Sequence, residues 1–100
     1  AVYAHNDDMA IGAIQALEAA GRQPGRDVTV VSIDGMGFAF DAIKEGKLNC
    51  TVECNPLLGP MAFDAVEKVL KGEALPKLMV QQDRLFDAGN AAAEIPNRKY

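Results

Sequence analysis

The stretch Val28-Thr29-Val30-Val31-Ser32-Ile33-Asp34-Gly35 decides the fold. Residues 28–33 are β-branched except for Ser32 and show no apolar–polar alternation. That is the signature of a strand buried on both faces, which parallel sheets require. Asp34-Gly35-Met36-Gly37 then switches to turn chemistry. Downstream, a short helix is expected from about Phe38 to Glu45, stopped by Gly46, and a further strand over residues 49–54. Upstream, Arg22-Gln23-Pro24-Gly25 is a loop, and before it the apolar period is helical. On a wheel of ~100° per residue, Asp8, Gln15, Glu18 and Arg22 share a sector of about 80°, with Ile11 the one apolar residue inside it. Asp7 is the expected N-cap of that helix and Gly21 its C′ residue. A short apolar run, residues 2–4, precedes it as a strand.

Beyond the third strand, residues 56–71 read as a helix with Pro56 in its first turn. Asp64, Glu67, Lys68 and Lys71 occupy one sector and form two i,i+4 pairs, Asp64/Lys68 and Glu67/Lys71. Leu58, Met61, Ala62, Ala65, Val66 and Val69 face the other way, and Gly72 ends the helix. Residues 78–86 have strand character, and the remainder is a polar, Ala-rich tail of little pattern. Strands and helices alternating with short links predict an α/β fold: a parallel sheet with helices on both faces.

A chain of 100 residues, 49% of them apolar, is one compact domain or a piece of a larger one. Fourteen acids against ten bases give a net charge of −4, and the pI is near 4.8. A surface of that sign repels phosphate, so nucleic acid is not an expected partner. No uncharged stretch approaches the ~20 residues of a membrane span. The chain opens inside a strand with no initiating Met or leader-like segment, which points to a fragment whose N-terminal part is missing. Cys50 and Cys54 on an extended strand lie about 13 Å apart, beyond disulfide reach, and are expected as two small buried hydrophobes.

In an open parallel sheet, ligands bind outside the carboxyl ends of the strands. The polar residues there are His5, Asn6 and Asp7 after the first strand, Asp34 after the second, and Glu53 and Asn55 flanking Cys54 at the third. Capping accounts for Asp7. Asn6 and Asp34 are left as the ligand-binding candidates, with Cys54 and Asn55 beside them. An amide donates and accepts while a carboxylate accepts twice, a set suited to vicinal hydroxyls and poorly suited to an anion. Enzyme readings are weaker. Gly35-Met36-Gly37 meets Phe40 where a dinucleotide loop needs a third glycine. His5 with Asp7 and Asp8 lacks a second histidine for a metal. Cys54 as a nucleophile lacks a nearby base. No catalytic activity and no cofactor are therefore expected.

Ala4-His5-Asn6-Asp7-Asp8-Met9-Ala10-Ile11-Gly12-Ala13, followed by Ser32-Ile33-Asp34-Gly35, resembles the type I periplasmic sugar-binding proteins of ABC importers, in their ribose- and galactofuranose-binding group. The similarity runs on through Thr51-Val52-Glu53, Asn55-Pro56 and Ala62-Phe63-Asp64-Ala65. It implies a bilobal parent about three times this length that closes on one monosaccharide, a pentose or hexofuranose, and presents it to permease subunits in the membrane from a periplasmic or lipid-anchored position. This chain would be its C-terminal portion. By the same resemblance Asn6 and Asp34 contact sugar hydroxyls. Cys54 stands where ribose binders usually carry glutamine, and Leu57 where galactofuranose-type members carry asparagine. The family's topology also implies a division of the chain. Residues 1–54 belong to the C-terminal lobe, 55–77 to a hinge crossing and a helix of the other lobe, and 78–100 to the return strand and tail. The apolar face of that helix would then need the missing lobe or a second copy to cover it. The effector-binding domain of a LacI-type repressor is the alternative, although such domains usually read Phe-Asp-Asp where this chain has Ile33-Asp34-Gly35.

Overall fold

A computed structural model describes residues 1–100. The elements follow in the order β1 (Val2–Tyr3), α1 (Asp7–Ala19), β2 (Val30–Asp34), α2 (Gly37–Lys44), β3 (Cys50–Glu53), α3 (Gly59–Leu70), β4 (Leu85–Asp87) and α4 (Ala91–Glu94), with a 3-10 turn at Ile95–Asn97. One sheet of order β1-β2-β3-β4 joins the strands. β1, β2 and β3 are parallel, with Val2 opposite Val30 and Ser32 opposite Thr51.

The mostly parallel α/β sheet is as expected, with two differences. β4 runs antiparallel to β3, pairing Phe86 with Thr51. The helices packed on the sheet also lie on one face rather than both. Consecutive strands that are neighbours in space, joined by right-handed crossovers, put their helices on the same side. Asp7 at the start of α1 reaches Ser32 and Thr51, while Phe40 of α2 packs on Phe86, and Ser32, Thr51 and Phe86 share that face. The opposite face, with Val31, Ile33, Cys50 and Val52, is only partly covered. β2 is shorter than the 28–33 run because Thr29 serves only as an acceptor for Val2 N–H beyond the ladder.

The core is Ala10, Ile14, Val30, Ala39, Phe40, Ala42, Ile43, Leu48, Phe86 and Ala91, with Ala4 at its edge. The Phe40 and Phe86 rings meet at 4.8 Å in a tilted pair. Three helices stop where glycine was expected to stop them. Gly21, Gly46 and Gly72 all have positive φ, and each makes the paired backbone bonds of a Schellman cap, such as Arg22 N–H to Leu17 C=O.

Residues 54–85 differ from the rest. None of them is buried, and the molecule extends to 61 × 24 × 17 Å with a radius of gyration of 17.3 Å, against ~13 Å for a compact chain of this length. The helix there starts three residues later than Pro56 predicts. Asn55 Oδ1 accepts Leu57 N–H in an Asx turn, so Pro56 belongs to the loop and Pro60 takes the first helical turn. Of the two expected ion pairs, Lys71 meets Glu67 at 2.6 Å, whereas Lys68 and Asp64 form none. Outgoing and returning limbs run side by side. Glu53 N–H donates to Arg84 C=O at 2.8 Å, Asn55 N–H to Asp83 Oδ1 at 3.2 Å, and Gln81 Nε2 to Asn55 C=O at 3.0 Å. Only the last two residues of the expected 78–86 strand, Leu85 and Phe86, pair with the sheet, and the pairing runs on to Asp87.

Candidate binding site

The carboxyl ends of β1, β2 and β3 are tied together by Asp7, which is not the cap the pattern predicted. Asn6 is the N-cap of α1: its backbone is extended, φ −151° and ψ 172°, and its Oδ1 accepts Met9 N–H at 2.8 Å. Asp7, one residue inside the helix, is fully buried. Its Oδ1 accepts Ser32 Oγ–H at 2.5 Å and Thr51 Oγ1–H at 2.8 Å. Its Oδ2 accepts the backbone N–H groups of Gly35 at 2.9 Å and Met36 at 2.7 Å. A buried carboxylate is tolerated only when its lone pairs are filled, and here four donors from two strands and one loop fill them. Cap and knot are thus divided between Asn6 and Asp7, the reverse of the expected assignment for Asp7.

This knot places the two candidates. Asn6 adjoins Asp7 and Asp34 adjoins Gly35, so the Asp7–Gly35 hydrogen bond brings the loops after β1 and β2 to one rim. Both residues are half-buried, neither sealed in the core nor on opposite sides. Asn6 Nδ2 and the Asp34 carboxylate take part in none of the chain's own hydrogen bonds, which leaves a donor and an acceptor without partners at the rim.

Asp34 is also the single non-glycine residue with positive φ, at 124°. Such a backbone costs about 1–3 kcal/mol and persists only where the surroundings dictate it. Cys54 N–H donates to Asp34 C=O at 3.0 Å, and Gly35 follows with φ 80°. A side chain at Gly35 would be strained by that φ, and its Cβ would come within 3.4 Å of the Arg98 guanidinium.

Cys54 therefore reaches the same rim. It is exposed rather than buried because β3 ends at Glu53 and the next residue already faces solvent. Cys50 is half-buried, and burial, with the nearby Asp87 charge, pushes its thiol pKa up. Asn55 is tied to the chain around it: its Oδ1 accepts Leu57 N–H, its own N–H donates to Asp83 Oδ1, and its C=O accepts Gln81 Nε2–H. His5 is exposed at the rim with its ring 5.2 Å from that of Tyr3.

The tail adds residues that the sequence reading passed over. The carboxylate of Glu53 is buried and accepts Arg98 Nη1–H at 2.9 Å and Tyr100 O–H at 2.7 Å. Burial pushes its pKa up, but those two hydrogen bonds and the Arg98 charge outweigh burial and leave it below the usual carboxylate range. Arg98 also donates to Gly35 C=O at 3.3 Å, and its guanidinium lies over the rings of Phe86, Phe40 and Tyr100 at 4.7, 5.0 and 5.2 Å. Gly37 N–H donates to Tyr100 C=O at 2.8 Å. The clue lay in Glu53. Two residues on from Thr51, it shares the helix-covered face, and an acid there needs a cation.

A family model described as a periplasmic binding protein domain matches residues 1–74. The chain is similar to the galactofuranose-binding protein YtfQ of Escherichia coli (strain K12), at 43% identity over 99 residues, which are 98% of this chain and 31% of that protein. A Mycobacterium smegmatis structure in complex with β-D-fucofuranose superposes with TM-score 0.88 and 47% identity, covering 99% of this chain and 33% of that one. The periplasmic binding protein component of the arabinose ABC transporter from Shewanella sp. ANA-3, bound to α- and β-L-arabinofuranose, gives TM-score 0.90 and 44% identity, covering 98% of this chain and 33% of that one. The chain thus spans about a third of the length of the relatives it matches.

Proposed function

This chain belongs to the periplasmic binding protein domain family, and from that premise we propose that its full-length parent is the non-enzymatic substrate-binding component of an ABC sugar importer. It captures one monosaccharide, a pentose or a hexose in furanose form, in a cleft between two lobes and delivers it to permease subunits from the periplasmic side of the membrane. Residues 1–54, with the return strand and tail from 78 on, form part of one lobe. Residues 55–77 are the crossing and a helix that packs on the other. Asn6 and Asp34 grip sugar hydroxyls, and Cys54 lines the same rim. Asn55 stands one residue further on, in the crossing.

The observation that carries the reading is the pairing at the rim. The Asn6 amide nitrogen and the Asp34 carboxylate stand on loops joined by the Asp7–Gly35 hydrogen bond, and the chain gives neither a partner of its own, the Asn6 Oδ1 being spent on the cap of α1. A neutral polyol satisfies both groups; an anion would meet the uncompensated charge of Asp34. Sugars in the relatives' sites, β-D-fucofuranose and L-arabinofuranose, have that chemistry. The crossing is supported by the two hydrogen-bonded limbs at residues 53–55 and 81–84, and the second lobe by the exposed Leu58, Phe63, Val66, Val69 and Leu70. Detached from that lobe, the chain associates with itself through this face, and light scattering should show concentration-dependent mass. A monomer at every concentration would remove that proposal.

The test is calorimetric titration of the full-length protein with L-arabinose, D-galactose, D-fucose and D-ribose. One of them should bind at micromolar Kd or tighter with unit stoichiometry. Asp34→Ala should weaken it by more than about 2 kcal/mol, roughly 30-fold, because a sugar hydroxyl loses a charged acceptor. No binding across the panel, or an unchanged Kd in the variant, would overturn the reading.

A further inference from the structure

The loop that presents Asp34 is held from two directions, only one of which comes from the neighbouring strands. On the strand side, Asp7 takes the N–H groups of Gly35 and Met36, and Cys54 N–H binds Asp34 C=O. On the far side, the hold comes from the end of the chain, more than sixty residues away in sequence. Arg98 supplies the hydrogen bond received by Gly35 C=O, and Tyr100 C=O takes Gly37 N–H. Both tail residues converge on one oxygen, Glu53 Oε1, while Glu53 lies opposite Asp34 in the β2–β3 register. The Arg98 side chain is 10% exposed and stacked among three rings, so it cannot swing to water without vacating an apolar slot.

We propose that Arg98 and Tyr100, joined through Glu53, are positioning residues for the sugar site, a C-terminal latch that keeps the 34–37 loop in the conformation presenting the Asp34 carboxylate. The physical need is the backbone of Asp34. A non-glycine residue at φ 124° relaxes toward an ordinary conformation unless the peptides on both sides are fixed. Asp7 fixes the N–H groups. Without Arg98 the Gly35 carbonyl has no partner, the Glu53 carboxylate is left buried beside a vacant slot, and the peptide after Asp34 is free to turn. The carboxylate then spends part of its time off the rim, and apparent affinity falls by the fraction of time it is correctly placed. Neither tail residue needs to touch the sugar.

This inference rests on the sugar-binding reading for its affinity arm, so its test carries a second arm that does not. In the full-length protein, Arg98→Ala should weaken binding of the best sugar of the panel (L-arabinose, D-galactose, D-fucose, D-ribose) about tenfold, measured well below the variant's melting temperature. In the sugar-free protein, the amides of Gly35, Met36 and Gly37 should exchange about tenfold faster with solvent, ahead of those in α1. Tyr100→Phe, which keeps the ring and removes one hydrogen bond, should move both readouts the same way by about threefold. Arg98→Lys, a charge without the planar fork, should fall between Arg98→Ala and wild type. Leu48→Ala, a core truncation away from the loop, should lower the melting temperature yet leave Kd and loop exchange alone, which separates positioning from general destabilisation. If Arg98→Ala does not fold, Tyr100→Phe decides. Folded variants with Kd and loop exchange within about 1.5-fold of wild type would overturn the latch. Should wild type bind none of the four sugars, the sugar-binding reading fails, and the exchange of residues 35–37 alone decides whether the latch stands.

Discussion

Helices α2 and α3 carry similar residues into opposite fates. In α2, Phe40 and Ile43 are sealed against the sheet; in α3, Phe63 is 77% exposed and Leu70 82%. Both helices have an apolar face, both end on a Schellman glycine, and both follow a strand of the same sheet. What separates them is what the chain supplies to pack against. The body, residues 1–53 with 86–100, contains sheet, helices and polar knot together, so the apolar faces of α1 and α2 meet their complement on one side of the sheet. The arm, residues 54–85, contains one helix and two limbs. Amphipathicity says that a face is meant to be covered; it does not say that the cover lies in the same hundred residues.

The sharpest way to break that contrast is to cut the knot in the body. Asp7→Ala should lower the stability of the chain by about 4 kcal/mol, because Ser32, Thr51, Gly35 and Met36 all lose a charged acceptor in a dry site. With marginal stabilities of ~5–15 kcal/mol, that approaches unfolding at ambient temperature. Urea titration followed by circular dichroism reads it directly. A loss near 1 kcal/mol, the size of a simple cap, would mean the body is held by its apolar core alone.

A matched pair of truncations sharpens the contrast. Phe86→Ala should destabilise the chain by about 3 kcal/mol through lost burial and the cavity left beside Phe40. Phe63→Ala in the same chain should change unfolding by less than about 0.5 kcal/mol and reduce self-association instead. In the full-length protein, Phe63→Ala should approach the cost of Phe86→Ala, since the ring then has a partner. Equal, small effects in both settings would mean that α3 is a solvated arm in the parent too.

Elements set by local signals were legible in the sequence in both regions; what covers the arm was not. The β-branched run around Val30 and Val31, the helical period from Ala10 to Leu17, and Gly21, Gly46 and Gly72 are local signals, and each element sits within a few residues of where they put it. That Asn6 and Asp34 stand on one rim was legible because polar residues at the carboxyl ends of neighbouring parallel strands come together. The exchange of roles between Asn6 and Asp7 was not, since either residue can cap. The decisive information, two hydroxyls at Ser32 and Thr51 asking for a buried acceptor, lies in other strands. Arg98 and Tyr100 escaped for a similar reason: nothing near them in sequence explains them, and Glu53, which does, is 45 residues away from the arginine. The direction of β4 is set by the return limb running back along residues 53–55, a long-range fact with no local period.

The smallest effect concerns how each region responds to pH. In the body, burial and the hydrogen bond to Glu53 push the Tyr100 phenol up to about 12 from its ordinary value of 10.0. The folded chain therefore keeps a proton that the unfolded chain gives up first. Above pH 10 the unfolded state binds fewer protons than the folded one, so stability falls as pH rises, and the contribution is gone once pH passes about 12. Below pH 10 it is fully present. Glu53 acts at the other end: its lowered pKa gives stability that is present above the ordinary carboxylate value and lost as pH falls through the folded value. The arm's ion pair, Lys71 with Glu67, is solvated on both sides and contributes little at any pH. Tyr100→Phe should accordingly flatten the alkaline limb: between pH 9 and 11 the urea midpoint of wild type should drop further than that of the variant, whereas Lys71→Met should leave the limb as steep as in wild type. A Tyr100→Phe curve parallel to wild type over that range would place the phenol in water and detach the tail from Glu53.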